Sequence, residues 1–186
     1  ILGTLTAQYL KADHVVTPVS SNTAVELSKS FSSVIRTKIG SPFVIEAMEN
    51  IAKAGSAKLI VGYEANGGFL QGSALNKGGM ELNALPTRDA ILPMLSLMGL
   101  SIEREKPVSK LKEGLPARFT HSDRIQNYSL EKSSNLIKTL TNKPENLSHY
   151  LDANFGEVIA TDSTDGLRVT FKNGDIVHLR PSGNAP

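Results

Sequence analysis

The sequence predicts an α/β chain: a layered α/β domain over residues 1–104, a linker over 105–116, and a smaller α+β domain over 117–186. Three observations carry this reading. Short apolar runs alternate with stretches of helical period as far as Leu100, which is the pattern of a layered α/β domain. The segment SIEREKPVSKLKEGLP is charged, holds two prolines and lacks a sustained apolar period, as a linker does. Beyond it, strands cluster beside helical segments, the order of an α+β domain. The chain has 186 residues, 40% hydrophobic and 20% charged, enough apolar material for one large or two small cores.

Taken in order, Ile1, Leu2, Leu5, Tyr9 and Leu10 follow a helical period, and the run from His14 to Thr17 reads as a strand. Asn22 can cap a second helix with Val25, Leu27 and Phe31 on its apolar side, and Val34–Arg36 offers a second strand. Ser41 and Pro42 form an N-cap and N1 pair, Val44, Ile45, Met48, Ile51 and Ala52 make a stripe, and Gly55 is placed to end that helix. Lys58–Tyr63 is nearly all apolar, as a strand covered on both faces tends to be. Thr87, with Asp89 two residues on, is expected to open another helix, kinked at Pro93. Ala117–Thr120 is read as a strand, Leu130–Leu140 and Leu147–Leu151 as helical, and Val158–Thr161, Leu167–Phe171 and Ile176–Leu179 as strands. Asn173-Gly174 between the last two predicts a type I′ hairpin.

With 20 Lys+Arg against 18 Asp+Glu, the formal charge of +2 is too small and too scattered for a nucleic-acid or membrane surface. The absence of cysteine excludes a disulfide framework, a thiolate metal site and a cysteine nucleophile, and suits a cytoplasmic location. The longest nearly apolar run, Ala90–Leu100, is interrupted by Pro93 and Ser96 and is about half the roughly 20 residues of a membrane helix. The chain starts at Ile1 with neither an initiator Met nor a signal peptide, as if cut from something longer.

Two loops could carry chemistry. In Arg180-Pro181-Ser182-Gly183-Asn184, a guanidinium offers a planar fork to phosphate, Ser182 and Asn184 add donors, and Gly183 lets backbone N–H groups approach an anion. An ordinary turn after an edge strand, with Arg180 as a surface cation, accounts for the same residues. In Glu64-Ala65-Asn66-Gly67-Gly68, a carboxylate and an amide at a strand end, beside two glycines that remove bulk, can bind vicinal hydroxyls. A glycine turn with a solvated acid is the plainer alternative. His14, His121, His149 and His178 show no metal-ligand spacing. Asp162 and Asp165-Gly166 lack the ligands of a calcium loop and suit a hairpin turn, and Asn76-Lys77-Gly78-Gly79 lacks the P-loop pattern. No metal site is expected in these residues.

Four segments in order, VVTPVSSNTAVE from Val15, RTKIGSPFVIEAM from Arg36, GYEANGGF from Gly62 and LRPSGNAP from Leu179, match one pattern. LPTRDAILP from Leu85 and DGLRVTFKNGD from Asp165 fit it too. The chain resembles the α-D-phosphohexomutases, the phosphomannomutase/phosphoglucomutase group, over essentially its whole length. The resemblance implies the third domain of that family, a three-layer αβα unit with a mixed sheet, and most of the fourth.

It assigns sugar binding to Glu64, Asn66, Gly67 and Gly68, where the family loop is usually GEXSGH. Asn66 thus stands for Ser and Gly68 for His. It assigns phosphate binding to Arg180, Ser182, Gly183 and Asn184, with Asn184 where Thr is common and Ala185 where Glu is common. Ser41 falls where some relatives carry a basic residue or His. The implied reaction is reversible transfer of phosphate between the 1- and 6-hydroxyls of mannose or glucose phosphate, through a phosphoserine enzyme and a bisphosphorylated intermediate, assisted by Mg²⁺. The family's serine loop (TASHNP-like) and metal loop (DGDGDR-like) do not occur in these residues. No catalytic residue is therefore expected here, and the missing N-terminal domains become the implied partners. A non-catalytic sugar-phosphate binding module and a phosphoglucosamine mutase relative are the competing readings.

Overall fold

A computed structural model describes residues 1–55, 58–151 and 153–181. It divides into two compact units, Ile1–Thr120 and His121–Pro186.

In the first unit, α1 (Leu2–Leu10), β1 (His14–Pro18), α2 (Ala24–Leu27), β2 (Ser33–Thr37), α3 (Ser41–Lys53) and β3 (Ile60–Tyr63) follow one another, with β1 parallel to both β2 and β3. The chain then turns into β4 (Phe69–Gln71), a hairpin of β5 (Leu75–Lys77) and β6 (Met80–Leu82), β7 (Leu85–Asp89) and α4 (Ile91–Glu103). The sheet order is β2-β1-β3-β4-β7, and β4 and β7 run antiparallel to their neighbours, so the sheet is mixed.

Consecutive strand residues point to opposite faces, and each face has its own core. Val15, Val61 and Phe69 pack with Ala7 and Leu10 of α1, while Val16, Ile60 and Leu70 pack with Val44 and Met48 of α3. Helix, sheet and helix thus form three layers. Gly62 sits under α3, where a Cβ would come within 2.5 Å of Val44 Cγ1. Gly99 in α4 gives the Tyr9 phenol of α1 the same kind of room.

Local chemistry accounts for where the elements begin and end. Gly40, at φ 132, is the N-cap of α3; Ser41 is the first helical residue and makes no side-chain cap bond, so the helix starts one residue earlier than expected. Gly55 at φ 74 follows the helix end, a conformation that favours glycine. Thr87 lies in β7 rather than at a helix start. Asp89 does serve α4, accepting from the Ile91 backbone N–H at 2.7 Å. Pro93 therefore falls in the first turn, where its missing N–H has no intrahelical partner to lose, and α4 runs on without interruption.

Residues 105–116, expected as a linker, belong to this unit. A 3₁₀ helix over Val108–Gly114 buries Leu111, and Leu111 and Leu115 pack with Leu5 and Leu100. The charges of the segment face outward and its two leucines supply the anchor. Ala117–Thr120 forms no strand. Side chains hold it instead: Asn22 Nδ2 donates to Arg118 O at 3.0 Å, and Arg118 Nε donates to Thr23 Oγ1 at 3.1 Å.

The second unit packs α5 (Leu130–Asn142) and 3₁₀ turns at Pro144–His149 and Ala153–Phe155 with an antiparallel sheet of β8 (Val158–Asp162), β9 (Leu167–Phe171) and β10 (Ile176–Leu179), ordered β10-β9-β8. The Ser129 side chain caps α5 by accepting from Lys132 N. Leu167, Val169 and Phe171 alternate inward along β9 and meet Leu140 and Leu147. The β9–β10 hairpin is not type I′. Gly174 has φ 88 and Asn173 is not left-handed, with Phe171 O accepting from Gly174 N at 2.9 Å. A turn closed by a left-handed glycine matches this longer hairpin class, and Asn173 Oδ1 stabilises it by accepting from Asp175 N at 2.9 Å.

Candidate functional site

The first unit offers its polar groups at the carboxyl edge of the three parallel strands, where open α/β sheets usually bind ligands. After β1 the chain turns through Ser20–Asn22. Arg36 of β2 fixes that turn, donating to Pro18 O and Ser21 O at 2.8 Å each while gripping the Glu26 carboxylate at 2.7 and 2.9 Å. Thr17 Oγ1 ties the same turn to β3, lying 2.7 Å from Ser21 Oγ and donating to Tyr63 O at 2.8 Å.

After β3 the Glu64–Gly68 loop closes on itself. Glu64 N donates to Gly68 O at 2.9 Å and Gly67 N to Glu64 O at 3.1 Å, with Gly67 at φ 93. Asn66 Oδ1 accepts from Gly68 N at 3.0 Å, so the amide oxygen shapes the loop. A recess of about 110 Å³ lies between the Ser20–Asn22 turn, Tyr63, Glu64, Gly67 and the start of α1.

Glu64 is not a solvated acid. Its side chain is 5% exposed, and Arg88 Nε of β7 donates to Glu64 Oε2 at 2.7 Å. The Arg88 chain crosses Gly68, where a Cβ would stand 3.2 Å from Arg88 Cγ. The small residue thus makes room for the cation. Residue patterns alone missed Arg88; the signal that could have found it is the rule that a buried carboxylate needs a counter-charge. Beneath the loop, the Tyr63 hydroxyl lies 3.0 Å from Thr4 Oγ1. Burial raises the Tyr63 phenol above its ordinary range, with the Thr4 bond pulling the other way.

In the second unit Arg180 follows β10 directly and is exposed, with Nε donating to Asp165 Oδ1 at 3.1 Å. The other expected phosphate ligands, Ser182, Gly183 and Asn184, lie outside the described residues. Asp162, at the end of β8 two strands away, is held below the usual carboxylate range chiefly by the Thr164 hydroxyl, with Arg168 and His178 adding smaller favourable charges. Among the described residues no group of three or more His, Asp or Glu side chains gathers to hold a metal ion. No helix among them is long and apolar enough to cross a membrane.

Fold and site together define a class: a three-layer α/β/α unit with a polar, acid-bearing recess at the carboxyl edge of a mixed sheet, followed by a small α+β unit. Residues 1–119 match the family model for phosphoglucomutase/phosphomannomutase, alpha/beta/alpha domain III. The chain belongs to the phosphoglucomutase/phosphomannomutase family. It is 44% identical over all 186 residues to a phosphomannomutase of Salmonella muenchen and 40% identical to one of Sinorhizobium fredii, spanning 38% and 39% of their lengths. A crystal structure from Thermus thermophilus, described provisionally as a phosphomannomutase, superposes with a TM-score of 0.55 at 16% identity, covering 96% of this chain and 34% of its own. That last likeness concerns the fold.

Proposed function

We propose that this chain is the substrate-binding portion of a phosphomannomutase/phosphoglucomutase, which moves phosphate reversibly between the 1- and 6-hydroxyls of mannose or glucose phosphate through a phosphoserine enzyme. The observation that carries the proposal is Glu64: a buried carboxylate, fixed by Arg88 in a glycine-bearing loop beside a recess at the sheet edge. A carboxylate held this way accepts two hydroxyl hydrogens in fixed directions, which is what discrimination between sugar epimers requires. Asn66 donates a further hydrogen bond, Gly67 at the recess lets the ring approach the backbone, and Gly68 leaves room for the Arg88 chain that fixes Glu64.

Arg180, with Ser182, Gly183 and Asn184, holds the phosphate that is not reacting. Binding energy from that remote group orients the hydroxyl that is. The serine that carries phosphate belongs to other domains of the same polypeptide, in the cytoplasm. Mg²⁺, when bound in the intact enzyme, supplies charge stabilisation to phosphoryl transfer.

The test is kinetic, in the intact enzyme. Arg180→Ala is expected to lower kcat/KM by about 10- to 150-fold, the equivalent of a charged contact of about 1.5–3 kcal/mol. Glu64→Gln is expected to narrow the difference between mannose and glucose phosphates. Unchanged kinetics for both variants would overturn the proposal.

A further inference from the structure

The turn between β8 and β9 reaches the end of β10 through three separate contacts. Gly166, at φ 83, lies so close to Leu179 O and Arg180 Cα that a Cβ there would collide with the backbone. His178 Nε2 is hydrogen-bonded to Asp165 O at 2.5 Å. The Asp165 carboxylate receives Arg180 Nε–H at 3.1 Å. The ladder sets this proximity, because Leu179 pairs with Leu167 and His178 with Arg168.

We infer that Asp165 is a positioning residue for Arg180: it takes the side-facing Nε–H and aims the two terminal NH₂ groups away from the turn, as a fork for a phosphate. The inference rests on the reading of Arg180 as a phosphate ligand. Arginine presents five N–H donors in one plane. Fixing one edge of that plane orients the other, so the rotamer entropy otherwise lost on binding is already spent in the free protein. The Asp165 side chain is 18% exposed and that of Arg180 36%, so the anchor sits inside and the fork outside.

Charge and orientation make opposite predictions for the loss of Asp165. Removing a carboxylate beside a cation would tighten phosphate binding through charge alone; removing the anchor weakens it. The experiment is calorimetric titration of the intact protein with mannose 1-phosphate and, separately, with inorganic phosphate. Asp165→Ala is expected to weaken binding by about 2- to 13-fold, the cost of ordering one long side chain. Asp165→Asn keeps an oxygen for Nε–H and is expected to stay within about twofold of the parent.

Asp165→Ser is too short to reach Nε yet suits a turn; it is expected to match the Ala variant and decides the matter if that variant does not fold. In an Arg180→Ala background none of these substitutions should change affinity further. Unchanged or tighter binding by the Ala and Ser variants, or the same loss with Arg180 already removed, overturns the positioning role. Unchanged binding by Arg180→Ala alone instead overturns the phosphate reading on which it rests.

Discussion

Replacing Arg88 by Ala strands the Glu64 carboxylate. The magnitude lies between two limits. A solvent-exposed ion pair is worth about 0–1 kcal/mol, whereas removing one partner of a buried pair costs about 3–5 kcal/mol. Here the acid is 5% exposed and the cation 55%, so water reaches the pair from one side, and about 2 kcal/mol is the reasonable value between those limits. In a protein of this length that corresponds to about 4–8 °C in Tm. The assay is urea unfolding of Arg88→Ala, Glu64→Gln and the double variant, with amide exchange across β3 and β4 keeping the readout on the first unit. Glutamine is neutral and nearly isosteric, so Arg88→Ala is expected to cost under about 0.5 kcal/mol in the Glu64→Gln background. Equal cost in both backgrounds would refute the argument, because the loss would then come from packing over Gly68 and not from the stranded charge.

Two further outcomes follow from the geometry. Gly166→Ala forces an L-residue into a left-handed conformation against Leu179 O, and it is expected to cost about 2–4 kcal/mol and to deprotect β9 and β10 in amide exchange; a neutral substitution would show that the turn does not press on the β10 end. Tyr63→Phe loses the Thr4 hydrogen bond, worth about 1 kcal/mol near neutrality. Because the folded phenol titrates above its unfolded value, its contribution is intact below about pH 10 and disappears as pH rises through the folded value. The parent should therefore lose stability more steeply than the Phe variant as pH rises above about 10 in denaturant melts, and parallel alkaline profiles would contradict this.

The parallel half of the sheet was legible because its strands carry continuous apolar runs and its helices clear stripes: His14–Thr17, Val34–Arg36 and the Val44–Met48 face all fall inside β1, β2 and α3. The antiparallel half was not. β4 has three residues and β7 contains Pro86, and Thr87 with Asp89 imitates a helix start because an acid just ahead of a helix can serve it from the end of a strand. The linker reading of 105–116 failed because charge dominates that stretch, while two leucines decide where it goes.

At the site, the glycines and the acid of the Glu64 loop mark it in the sequence. The Arg88 that pairs with Glu64 lies on a strand brought alongside only through β4, and such a pairing leaves no local pattern to read. Likewise, Asp165-Gly166 reads as a hairpin turn and nothing more until the ladder carries Arg180 beside it.

Because adjacent residues of β1, β3 and β4 serve different cores, the first unit tolerates substitution far better than insertion or deletion. One residue added within Ile60–Tyr63 would exchange the α1 and α3 faces of the strand and turn Glu64 away from its loop. Changes of chain length have a harmless outlet elsewhere: in the β5–β6 hairpin, Gly78 and Gly79 face open space and Met80 is 77% exposed. Lineages of this unit are thus free to lengthen at that tip, while the stretch that ends in the Glu64 loop keeps its residue count.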